Sequence, residues 1–177
     1  MRVKKAFAGS IIALVVAAGC TTPAPSINAT DRPSIDDSVP VSASLEGNMP
    51  TESSRVTAVE ARPESNGYSF AVTIESNDTG CDRYADWWEV ITPEGELLYR
   101  RILAHSHVDE QPFTRSGGPV AVGEDDDVVV RSHTNPDGYS AQAMKGSVNE
   151  GFSSTVLPED FAADLAEAEP QPSGCAF

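Results

Sequence analysis

The chain predicts an antiparallel all-β domain. Three observations predict it: alternating apolar residues, turn chemistry recurring between short apolar runs, and no sustained helical period. Tyr68, Phe70, Val72 and Ile74 fall on one face of a strand, because side chains along a strand alternate sides. Val56 to Glu60 reads as the strand before it, and the polar stretch from Ser76 to Asp86, carrying Cys81, as a turn after it. Trp87-Trp88-Glu89-Val90-Ile91 then runs into Thr92-Pro93-Glu94-Gly95, a hairpin turn by its proline and glycine, and returns from Glu96 to Leu103. Val120 to Val122 makes a short strand. Val128 to His133 makes a longer one, which turns at Asn135-Pro136-Asp137-Gly138 and returns through Ser140 to Val148. The count is about six or seven strands within 55–148. Trp87 and Trp88 are neighbours and face opposite ways, so one belongs to the core and the other lies partly exposed or under the C-terminal segment.

Beyond Gly151 the character changes. Pro158-Glu159-Asp160-Phe161 with Leu165 predicts a short acidic helix with proline at its start, followed by a tail to Phe177. The expected organisation is a leader (1–19), a tether (20–54), a β-sandwich (55–150) and an acidic C-terminal segment (151–177).

The N-terminus reads as an export signal. Arg2, Lys4 and Lys5 precede a small, apolar stretch from Ala6 to Gly19, too short to stay in a bilayer as a spanning helix. It ends in Val16-Ala17-Ala18-Gly19-Cys20. Those residues resemble the lipobox of bacterial lipoproteins, with Ala17 where that pattern prefers leucine. The resemblance implies cleavage before Cys20, a lipid on its thiol, and anchoring to a membrane. Each buried methylene contributes about 0.8 kcal/mol, so two or three acyl chains hold permanently. Thr21 is not the aspartate that retains Gram-negative lipoproteins at the inner membrane, so the same resemblance implies an outer-membrane location. From Thr21 to Ser54 proline, serine, threonine and acidic residues dominate, a composition that cannot offset its ordering entropy. A flexible tether of this length reaches roughly 30 Å.

Charge excludes one class of partner. The chain holds 12 basic and 27 acidic residues, and loss of the leader's three basic residues leaves the imbalance larger. Such a surface repels nucleic acid and anionic headgroups. Of the three cysteines, Cys20 is assigned to lipid, and Cys81 and Cys175 form an even pair in an exported chain, which predicts a disulfide. It would close a loop of about ninety residues and stabilise by about 4 kcal/mol in the chain-entropy model.

Trp88 in the third strand, ahead of a Pro-Glu-Gly hairpin, and Val128-Val129-Val130-Arg131-Ser132 followed by Asn135, Gly138 and Tyr139 resemble fibronectin type III and other immunoglobulin-like sandwiches. The resemblance implies two packed antiparallel sheets. The Trp-Trp strand, the run His105-Ser106-His107-Val108-Asp109-Glu110-Gln111-Pro112-Phe113-Thr114-Arg115 and the later Gly138-Tyr139 also resemble a set of exported bacterial proteins.

That histidine-bearing run carries the strongest signal for chemistry. In an extended chain His105 and His107 project to one side. With Glu110, and with His133 from another strand, they could supply a site for zinc or copper. The competing reading is structural: Glu110 pairs with Arg115, Gln111 bonds a backbone loop, and Pro112-Phe113 plugs the end of the sandwich. For His133 three roles stand open: a ligand, an exposed strand-end residue, or a partner to Asp137. No serine-histidine-acid or cysteine-histidine pattern is present. Glu124 to Asp127 lacks the spaced ligands of a calcium loop and reads as a solvated turn. The expectation is a non-enzymatic lipoprotein of the cell envelope, without a required cofactor, whose domain binds an envelope protein or polymer; the alternative is a zinc- or copper-binding module.

Overall fold

The computed structural model describes residues 53–176, so the leader, Cys20 and the expected tether through residue 52 lie outside the described residues. The strands are β1 (Ser54–Glu64), β2 (Gly67–Ser76), β3 (Tyr84–Ile91), β4 (Leu97–Ile102), β5 (Phe113–Val120), β6 (Val128–Asn135), β7 (Gly138–Tyr139), β8 (Gln142–Ser147) and β9 (Gly151–Val156). One sheet has the order β1-β2-β5 and the other β4-β3-β6-β8-β9, with β7 paired to β6. All pairings are antiparallel. The first, second and fifth strands in one layer, and the third, fourth and sixth in the other, is the strand distribution of an immunoglobulin-like sandwich.

Alternation builds the core between the layers. Phe70, Val72 and Ile74 of β2 meet Trp88 and Val90 of β3, Val128 and Val130 of β6, and Phe113 and Val120 of β5. The tight β1–β2 turn needs Gly67 at φ +131°, where an added Cβ would sit 1.9 Å from the Val120 carbonyl oxygen. Strand β3 is buried along its whole length. Its second face is covered too: Ile91, Val129 and Ala143 pack under Leu157, Phe161 and Leu165 of the C-terminal segment. Both tryptophans are therefore buried, Trp88 in the core and Trp87 on the covered face. A strand buried on both sides reads as a continuous apolar run, which is why β3 and β6 lack clean alternation.

The structure differs from the sequence expectation in three places. Phe113–Val120 is a strand rather than the end of a polar loop, and of the short strand expected over Val120–Val122 only Val120 is in it, as its last residue. Strand β5 is an edge strand, where its Pro119 is tolerated. Gly117 also admits Tyr99, whose hydroxyl lies 2.6 Å from where a Cβ would stand. Second, Gly151–Val156 is the outermost strand of the large sheet, so the sandwich ends at 156 instead of 150. Third, the predicted acidic helix is only a 3-10 turn, Ala163–Glu167, entered through Ala162 at φ +46°. Carbonyls that a helix would use internally are given to the side chains of Arg100 and Arg131.

Candidate functional site

Pairing register creates the polar centre of the covered face. Glu89 in β3 stands directly opposite Arg100 in β4 and Arg131 in β6. Its side chain is fully buried, and so is that of Arg100; Arg131 is 2% exposed. Arg100 donates from Nε and Nη2 to Glu89 Oε2 at 2.9 and 2.7 Å. Arg131 donates from Nε to Oε1 at 2.8 Å. The outer nitrogens reach the C-terminal segment. Arg100 donates to the carbonyls of Leu165, Ala168 and Pro170, and Arg131 to those of Phe161 and Ala162. A buried carboxylate thus holds two guanidiniums, and both hold the backbone of residues 161–170. Unpaired, such charges would not stay buried; together they satisfy one another and the carbonyls.

Aromatic rings frame this cluster. The Arg131 guanidinium lies 3.4 Å from the Tyr139 ring centroid and that of Arg100 lies 4.6 Å from Trp87. Burial, and next the negative charge of Glu89, push the Tyr139 hydroxyl up to about 12. It stays protonated at any physiological pH.

His133 sits beside this cluster. Its ring stacks on Trp87 at 3.6 Å, and its Nδ1 is 2.7 Å from Asp86 Oδ1. Asp137, one of the partners considered for it, pairs instead with Arg83 at 2.7 Å. The ring lines a cavity of about 450 Å³ with Asp86, Trp87, Gln171 and the Cys81–Cys175 disulfide. That disulfide is formed as expected, with Cα atoms 5.5 Å apart.

The histidine-bearing run after β4 is a plug. Gln111 accepts from the Ser76 amide and donates to the Ser76 hydroxyl and the His107 carbonyl. Glu110 takes a bidentate bond from Arg115 at 2.7 and 3.2 Å, which draws its carboxyl below the usual range. Phe113 is buried and stacks on the His107 ring at 3.8 Å. The buried Asp78 carboxylate accepts the His107 and Ala85 amides, pinning the loop to β3.

The four expected metal ligands are not brought together. His105 and His107 do touch, their ring centroids 4.7 Å apart. Glu110 is taken by Arg115, and His133 is held on β6 by Asp86 and Trp87. Among the described residues no set of three or more histidine, cysteine or acidic side chains is placed to hold a metal ion. The correction has a simple cause: the run folds as a stacked plug instead of an extended strand, and it buries His107 while leaving His105 exposed.

His107 is buried with neither ring nitrogen hydrogen-bonded; Asp78 Oδ2 is 3.9 Å from Nδ1, too far for a bond. Burial lowers its pKa, helped by Arg115 and His105 and opposed by Asp78 and Glu110. As pH falls through about 6.5, His107 in the unfolded chain gains a proton that the folded chain refuses. The unfolded state then binds more protons, so stability present above that pH is lost below it. Urea midpoints at pH 7.5 and 5.5 should fall more steeply for the native chain than for His107→Leu. Equal slopes would contradict this.

Sequence reasoning missed Glu89, Arg100, Arg131, Asp78 and Asp86. A signal existed for two of them: Glu89 and Arg131 each interrupt an apolar run with opposite charges. Among the described residues, the charged groups at the centre of the cluster, Glu89, Arg100 and Arg131, are all spent on one another and on backbone carbonyls.

No family model and no solved structure matches the chain. A protein of Halomicrobium mukohataei named "Putative lipoprotein" is 42% identical over 87 residues, a match taking in 49% of this chain and 43% of that protein. The chain thus spans less than half the length of the curated relative it matches, and that relative supports reading it as a lipoprotein.

Proposed function

We propose that the chain is an exported, membrane-anchored lipoprotein whose β-sandwich is a non-enzymatic binding module held outside the cytoplasm. The Cys81–Cys175 disulfide carries the reading: it occupies both later cysteines and belongs to an oxidising compartment. The basic start, apolar stretch and Gly19-Cys20 junction support the anchor, as does the likeness to a protein named as a lipoprotein. The domain's charged centre is spent on its own backbone, which supports a scaffold role over catalysis. Its partner would be an envelope protein or polymer reached at the end of the tether.

The test is a fatty-acid label with detergent-phase partition. The native chain should carry the label, partition with detergent and, by mass spectrometry, begin at a lipid-modified Cys20. Cys20→Ser should lose the label and move to the aqueous phase. An intact leader or an unmodified Cys20 in the native chain would overturn the anchor.

A further inference from the structure

A cavity of about 450 Å³ is lined by strands β3 and β6 and by the tail of the chain, and that is the size of a small-ligand site, about 300–1,000 Å³. Strand β3 supplies Tyr84 and Asp86, β6 supplies His133 and Asn135, and the tail supplies Glu167 and Gln171. The Cys81–Cys175 disulfide is part of the same wall and fixes the tail there. Several of these groups have hydrogen-bonding capacity to spare. Tyr84 is 3% exposed, yet its hydroxyl meets no hydrogen-bond partner among the described residues. Burial, then the charges of Asp86 and Asp78, raise its pKa, so it keeps its proton and can donate. His133 gives Nδ1–H to the Asp86 carboxylate at 2.7 Å, which leaves Nε2 of the neutral ring as an acceptor. Gln171 spends its amide nitrogen on the Ala166 and Ala168 carbonyls and keeps its oxygen. The Asn135 amide, opposite Tyr84 in the β3–β6 pairing, is unengaged among the described residues.

We infer that this cavity binds an uncharged sugar unit, so that the polymer reached by the domain is a neutral glycan. Ligand chemistry follows from the wall. Asp86 and Glu167 line it and, among the described residues, no lysine or arginine does, which disfavours phosphate, sulfate and uronate groups. An acyl chain would strip water from these polar groups and return no hydrogen bond. A simple amine would satisfy the carboxylates and leave the Tyr84 hydroxyl and the Asn135 N–H without an acceptor. A sugar hydroxyl donates and accepts through one atom, so a single ring serves both sets. A tyrosine hydroxyl kept this deep without a partner costs the fold, as a group held for a ligand does. The inference rests on the reading of the domain as a binding module and is independent of the lipid on Cys20.

The test uses the full chain in a mild detergent. Its two tryptophans give two indole N–H resonances; Trp87 lines the cavity, whereas Trp88 lies in the core. Titration with maltotriose, mannotriose and triacetylchitotriose should move the Trp87 signal saturably for at least one of them, with a Kd of about 1 mM or tighter, and leave Trp88 in place. Trigalacturonate and spermidine should move neither. Tyr84→Phe removes a hydroxyl that the folded chain leaves unbonded, so its urea midpoint should match the native value while binding weakens about three- to tenfold. No Trp87 response to any of the three sugars, an equal response to trigalacturonate, a response to spermidine alone, or native affinity in Tyr84→Phe would each overturn the inference. The anchor is read separately. A lipid-bearing Cys20 with an unmoved Trp87 removes the sugar and leaves the anchored module standing, and an unmodified Cys20 with a moving Trp87 removes the anchor and leaves the sugar.

Discussion

Replacing Glu89 with glutamine is expected to destabilise the domain by about 3–5 kcal/mol, the usual cost of removing one member of a buried charge set. The change keeps the size of the side chain and removes only its charge. Arg100 and Arg131 would then remain buried, their charges facing five backbone carbonyls and no carboxylate. Carbonyl dipoles satisfy hydrogen bonds, but they do not replace a full negative charge at low dielectric. Arg131→Met should cost less, since Glu89 keeps Arg100 and the methionine fills part of the apolar space. Urea unfolding of the two variants checks the ordering. A Glu89→Gln loss under about 1 kcal/mol would show that the carbonyls alone hold both cations.

The same cluster explains how much of the molecule its sequence could reveal. Strand β2 was legible because one face packs on the core and the other is half-exposed, so its apolar residues alternate. The fold class followed from that strand and from the two proline-glycine hairpins. Strand β9 was not legible: an edge strand with one core-facing aromatic offers no periodicity above the background of a serine-rich loop. The C-terminal segment misled for a different reason. Its alanines and acids suit a helix, but tertiary hydrogen bonds from Arg100 and Arg131 outweigh a propensity worth only tenths of a kcal/mol per residue. At the site, the composition of the His105–Arg115 run suggested ligands. Two of its polar members, Glu110 and Gln111, are spent on Arg115 and Ser76, as the structural reading had it. Which carboxylate meets which cation is set by strand register, and register is invisible until the sheet is assembled.

Removing the disulfide by Cys175→Ser is expected to lower stability by about 4–5 kcal/mol, because Cys81 and Cys175 are 94 residues apart and the closed loop restricts most of the unfolded domain. The loss comes mainly from the unfolded chain, so the folded variant should keep its C-terminal segment in place. Residues 161–170 are held by Arg100 and Arg131, and Phe161 and Leu165 pack beside Ile91 and Val129. Residues 172–176 are held more thinly: besides the disulfide, Ala176 donates its amide to the Ala104 carbonyl. Hydrogen exchange on the folded variant should therefore rise at the last few residues and stay native from Phe161 to Ala168. Paired with denaturant unfolding, this separates the two contributions. A large stability loss with local fraying confined to the tail is the expected result. Fraying that reached back to Phe161 would mean that the cystine bridge, and not the buried Glu89 cluster, seats the segment on the sheet.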